Sequence, residues 1–154
     1  MERRIPVRHR TAQWMFLAVL MLSMTALRAE DTVVLVTSSD GPIADLSSLD
    51  IRKAYLGISV TIAGSTVRPL RQQDDDRLNL IFLQSVIAMS QRSYERRLLS
   101  MMIKYGTPRP AEVDDREELI ETLARNPYAI GYMWKSDAES DSRIRTIKVL
   151  WQEH

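Results

Sequence analysis

From residue 31 onward the apolar positions fall into short periodic runs. DTVVLVTS, 31–38, is β-branched and almost wholly apolar, the pattern of a buried strand. Gly41 and Pro42 in DGPIAD then break it as a loop. LSSLDIRKAYLG, 46–57, reads as a short helix. Ser47 can cap it, Asp50 stands well placed at the positive end of its dipole, and Gly57 supplies a left-handed stop. STVRPLRQ, 65–72, predicts a strand, and Pro69, without an amide donor, puts it at a sheet edge or a strand end. In DDDRLNLIFLQSVIAM, 74–89, Leu78, Ile81, Phe82, Val86 and Met89 recur at helical spacing, so three aspartates sit at a helix start. SYERRLLSMMIKYG, 93–106, predicts another helix with Tyr94, Leu98, Met101, Met102 and Tyr105 on its core face and Gly106 at its end. TPRPAEV, 107–113, reads as a proline-bearing loop. Asp115 with Glu118 resembles a capping box opening a helix through Arg125, which Asn126-Pro127 closes. AIGYM, 129–133, and RIRTIKVLW, 143–151, are the last strands. Strands alternate with helices, so an α/β layered domain is expected.

The first 29 residues follow a different pattern. Arg3, Arg4, Arg8 and Arg10 precede the apolar run WMFLAVLMLSMTAL, 14–27, and LRA, 27–29, ends in a small residue. This is the pattern of a secretory signal. As a helix the run rises about 21 Å, short of a hydrocarbon core of about 30 Å, so cleavage is expected in preference to an uncleaved anchor. The expected organisation is a signal over 1–29 and one domain over 30–154, exported to the periplasm without a stable membrane span.

Cleavage changes the charge. The whole chain carries 21 Lys+Arg against 20 Asp+Glu. Removing five arginines and Glu2 leaves 16 against 19, a net −3. That balance argues against a nucleic-acid partner, whose phosphates need a basic surface. There is no cysteine, which excludes disulfides, thiol catalysis and a lipid-anchored N-terminal Cys. His9 falls in the signal and His154 ends the chain, so neither a Ser-His-Asp arrangement nor a His-rich zinc site can be assembled. No enzyme and no cofactor is expected.

Three segments in order resemble one family. LSSLDIRKAYLG is similar to the Leu-Ser…Ile-Phe-Leu-Gly helix of phosphate-type periplasmic substrate-binding proteins. The strand ending at Arg71, with a polar loop and a helix bearing Phe82, resembles their anion-binding strand-loop-helix. NPYAIGYMW, 126–134, looks like their Pro-Gly-Ala-Ile-Gly-Tyr-Val segment, matching at Asn126, Pro127, Ala129, Ile130, Gly131 and Tyr132. The likeness covers roughly residues 32 to 150 and corresponds to one lobe, the second, of a two-lobed fold. It implies a single periplasmic-binding-protein-like (type II) lobe, a mixed sheet flanked by helices. The implied function is capture of phosphate or another small oxyanion for an ABC transporter or sensing system, with a homodimer or an envelope partner supplying the second wall. The alternative is an interaction or scaffold domain that keeps the fold without the anion site.

RQQDDDR, 71–77, is where the two readings meet. In the family an arginine at the strand end and a Ser-Gly-Thr-like turn at the helix start hold the phosphate. Arg71 matches the arginine, while Asp75, Asp76 and Arg77 stand where the turn belongs. Free amides and the helix dipole favour an anion there. Carboxylates oppose one, since like charges 4 Å apart repel by about 4 kcal/mol at an effective dielectric of 20. Three arrangements follow: an aspartate caps the helix, the aspartates hold a divalent cation, or Arg71 leads a retained anion site. Ser38 and Ser39, after the first strand, are further ligand candidates, because strand ends in open α/β sheets line crevices. Gly131 allows either close backbone approach or packing. Tyr132 and Trp134 alternate on one strand face and could pack or form a contact surface. Arg92, Arg96 and Arg97 read as a solvated helix face.

Overall fold

The computed structural model describes residues 31–153. The expected signal over 1–29, Glu30 and His154 lie outside the described residues. Among the described residues seven strands and five α-helices follow one another: β1 (Thr32–Ser38), α1 (Ser48–Tyr55), β2 (Thr61–Ile62), β3 (Ser65–Thr66), β4 (Arg68–Gln72), α2 (Asp76–Phe82), α3 (Gln91–Tyr105), β5 (Ala111–Val113), α4 (Arg116–Arg125), β6 (Ala129–Trp134), α5 (Lys135–Glu139) and β7 (Ile144–Gln152). One sheet runs β5-β4-β6-β1-β7, and β2 with β3 forms a separate hairpin. β4 lies parallel to both β5 and β6, whereas β1 is antiparallel to β6 and β7. The fold class is therefore α/β with a mixed sheet flanked by helices.

β1 is buried along its whole length because both faces of the sheet are covered. Val33 and Leu35, with Ile130 and Tyr132 of β6, face α1, α2 and α3 across the larger core. Val34 and Val36, with Ala129 and Met133, face α4 and α5 across the smaller. This period-two division is what a continuous apolar strand permits. Gly131 faces α4, where an added Cβ would come within 2.8 Å of a Leu119 methyl. Its small size serves packing.

Local chemistry fixes most helix starts. The Ser47 hydroxyl accepts from the Asp50 amide at 3.1 Å, and in turn donates to the Asp50 carboxylate, holding that carboxyl below its usual range. Asp115 accepts from the Glu118 amide, while the Glu118 carboxylate reaches the amide of Asp114, one residue before the position a strict capping box uses. α3 starts at Gln91, two residues earlier than its apolar pattern implied, because Ser90 caps it through the Ser93 amide.

Four expectations are corrected. The strand expected over 65–72 is two strands, and the hairpin β2–β3 turns through Ala63 and Gly64, both at positive φ. Pro69 stands near the beginning of β4. Its neighbour Arg68 donates toward β6 through the Tyr128 carbonyl, so the amide Pro69 lacks would face β5, whose pairing begins only at Leu70. The helix expected over 74–89 ends at Phe82 and continues as a single π-turn, Leu83–Ile87, closed by Ala88 in the left-handed region. The inserted residue brings Leu83 and Ile87 into the core, while Val86 and Met89 are only partly covered. On α3 only Tyr94, Leu98 and Met101 are buried; Met102 and Tyr105 are exposed. Residues 111–113 of the expected loop form β5, and α5 was not anticipated. Among the described residues no helix is long and apolar enough to cross a membrane.

Candidate functional site

β4 ends by delivering Arg71 and Gln72 into the interior, 7% and 5% exposed. The Arg71 guanidinium lies 4.9 Å from the centre of the Tyr94 ring of α3. Its Nη1 donates to the Glu95 carboxylate at 3.2 Å and lies 3.7 Å from the Glu112 carboxylate of β5. Arg109 also pairs with Glu95. Burial disfavours the Arg71 charge, but Tyr132, Tyr94 and the bond to Glu95 outweigh it and hold its pKa above the ordinary value. Burial pushes the Tyr132 hydroxyl up to about 12, against the pull of Arg71, so it is a neutral donor and bonds to the Asn79 side-chain oxygen. The Asn79 amide donates in turn to the Gln72 carbonyl at 2.9 Å.

A cavity of about 210 Å³ opens here, lined by Arg71, Gln72, Gln73, Asp76, Asn79, Gln91, Glu95 and Glu112. Arg71 Nε and Gln72 Oε1 are buried and have no hydrogen-bond partner. A buried polar group left unpaired costs about 1–3 kcal/mol, and both atoms belong to residues that line this cavity. A larger hollow of about 440 Å³ lies at the other end of β4, between Arg68, Arg125 and Tyr128. It opens widely to solvent, and none of its lining groups is both buried and unpaired, so the chemistry points to the Arg71 cavity.

The aspartates separate by role. Asp75 is the helix cap: one carboxylate oxygen accepts from the Leu78 amide at 2.8 Å and the other from the Trp134 indole N–H at 2.7 Å. Asp76 begins α2 and lines the cavity. Arg77 turns away, pairing with Asp31 at 2.7 Å and lying over the Trp134 ring at 5.1 Å. Among the described residues no three acidic or imidazole side chains converge as a metal site would require. Tyr132 is core, stacked on Phe82 with ring centres 3.8 Å apart, so it offers no contact surface.

Ser38 and Ser39 stand at the opposite end of the sheet from Arg71. β1 is antiparallel to β6, and β6 is parallel to β4, so the end of β1 meets the beginning of β4. Reading both strand ends as one crevice presumes parallel strands. The structure thus brings Arg71 and Asp76 together, leaves Asp75 and Arg77 beside them in other bonds, and separates the two serines. Glu95, Glu112, Asn79 and the orphaned Gln72 were missed. Only Gln72 adjoins the matched arginine in sequence; the others arrive through tertiary packing.

No protein-family model matches the chain, and no curated protein sequence does. Solved structures do match in fold. An ABC-type phosphate transport receptor from Vibrio cholerae superposes with a TM-score of 0.55 at 12% identity, over 77% of this chain and 46% of that one. A putative phosphate ABC transporter substrate-binding protein with bound phosphate from Clostridium perfringens gives 0.56 at 16%, over 77% and 45%. PstS from Borrelia burgdorferi gives 0.52 at 17%, over 73% and 44%. The chain spans less than half the length of each of these proteins. It has the fold of part of a phosphate ABC transporter substrate-binding protein.

Proposed function

We propose that the protein is an exported, single-lobe module of the solute-binding type, acting in the periplasm, with the Arg71 cavity as its pocket for a small oxyanion such as phosphate. The single observation that carries this reading is the buried Arg71, its Nε unpaired, among the residues lining a cavity in a fold shared with phosphate receptors. Glu95 and Glu112 compete for the guanidinium. Both are at least a third exposed, and an entering oxyanion can displace them into water. The lobe corresponds to the second lobe of its two-lobed relatives, and a second copy or an envelope protein would supply the facing wall for an ABC transporter or sensing system.

Two observations favour a second reading, an interaction domain without a ligand. Asp75 already fills the N-terminus of α2, and Glu95 with Glu112 already answers Arg71. A melt of residues 30–154 in phosphate separates the two. A ligand at 100 times its Kd adds about 2.7 kcal/mol, several degrees for a chain of this size. The pocket reading expects that shift, and expects Arg71→Lys, which keeps the charge but loses the guanidinium fork, to abolish it. An unmoved melt at millimolar phosphate leaves the interaction domain.

A further inference from the structure

α3 carries a second feature that the pocket does not use. Its inner face is Tyr94, Leu98 and Met101, all buried. The opposite, solvent-facing stripe reads Arg92, Arg96, Leu99 and Ile103, at helical intervals of four, three and four. Leu99 is 47% exposed, Met102 42%, Ile103 72% and Tyr105 70%. No other helix exposes so many large apolar side chains among the described residues.

The charge is equally concentrated. Arg92, Arg96, Arg97 and Lys104 against Glu95 give this one helix a net +3. The remaining 12 basic residues of 30–154 face 18 acidic ones, a net −6. Arg92, Arg96 and Arg97 also crowd the first half of the helix, where its dipole disfavours cations. The basic residues therefore stand where helix stability would not put them. Along the axis the order is basic first and exposed apolar side chains last, up to the left-handed stop at Gly106.

We propose that this face of α3 docks the domain onto an anionic phospholipid surface. Arg92 and Arg96 would lie against lipid phosphates, and Leu99 and Ile103 of the same stripe would enter the headgroup boundary. The acidic remainder of the domain, repelled by the same surface, orients α3 toward it. A second copy of the chain is a poorer occupant. The only acid on α3, Glu95, is engaged by Arg71 and Arg109, so two facing copies of the stripe would set arginines against arginines or against apolar side chains.

Vesicle flotation tests this on residues 30–154, whose described residues carry the complete five-stranded sheet covered on both faces. The expected result is binding to mixed phosphatidylglycerol–phosphatidylcholine vesicles, weakening with salt, and none to phosphatidylcholine alone. Arg92 and Arg96 changed together to Gln should weaken it by about 25-fold, at roughly fivefold each. Leu99→Ser with Ile103→Ser should weaken it with the charge intact. All four side chains are exposed, and an unchanged circular dichroism melt checks that the variants fold. Equal binding to both vesicles, binding indifferent to either set of changes, or no binding to the anionic vesicles overturns the proposal. In the last case an acidic protein partner becomes the occupant to seek.

Discussion

Asp75 joins two elements through one carboxylate, capping α2 and anchoring the Trp134 indole at the end of β6. Losing a cap costs about 1 kcal/mol and losing a charged hydrogen bond about as much again. Asp75→Ala should therefore lower stability by about 2 kcal/mol in urea titration, whereas the exposed Asp74→Ala should stay within about 0.5 kcal/mol. Equal costs would mean that the cap is shared among the three aspartates. Gly131→Ala drives a methyl into Leu119 and should cost about 1–3 kcal/mol, as overpacking does, read by the same titration. The caps at Ser47 and Asp115 were legible in the sequence because their donors lie within three residues. The Arg71 partners were not, because Glu95 and Glu112 lie 24 and 41 positions away and only the fold brings them in.

Among the elements, those with long apolar periods were readable and those set by a single inserted or unpaired residue were not. The π-turn Leu83–Ile87 hides inside a run that satisfies helical spacing almost as well. The β2–β3 hairpin hides because its turn is Ala63-Gly64, where an Asn-Gly pair would have announced it. Ala63 at φ 48° sits where a Cβ is disfavoured. Ala63→Asn should accordingly stabilise the domain by about 0.5–1 kcal/mol, measured as a raised urea midpoint. A lowered midpoint would contradict this account of the turn. The strand directions were beyond the sequence altogether: β1 reads the same whether parallel or antiparallel, and that choice decides whether Ser38 and Ser39 share an end with Arg71.

At the scale of the whole molecule, the α/β class and the likeness to phosphate receptors followed from local segments in order, and the fold comparison agrees with both. The packing around Arg71 has a pH consequence for the whole domain. Burial raises the Tyr55, Tyr94 and Tyr132 hydroxyls above the ordinary tyrosine value of about 10, with Tyr132 at about 12. Groups raised in the fold contribute stability that is complete below pH 10 and is lost as the pH climbs through their folded values. Urea midpoints should thus fall above pH 10, while tyrosinate absorbance from these three stays absent near pH 10 as long as the fold is intact; their ionisation near pH 10 in the folded protein would contradict their burial. The most direct measurement of the central claim is phosphate titration of isotopically labelled residues 30–154, followed by amide chemical shifts. The account predicts saturable shifts at Arg71 through Asn79 and at Gln91, Glu95 and Glu112, absent in Arg71→Lys. Shifts confined to Arg92 and Arg96 on the outer stripe of α3, or none at millimolar phosphate, would contradict it.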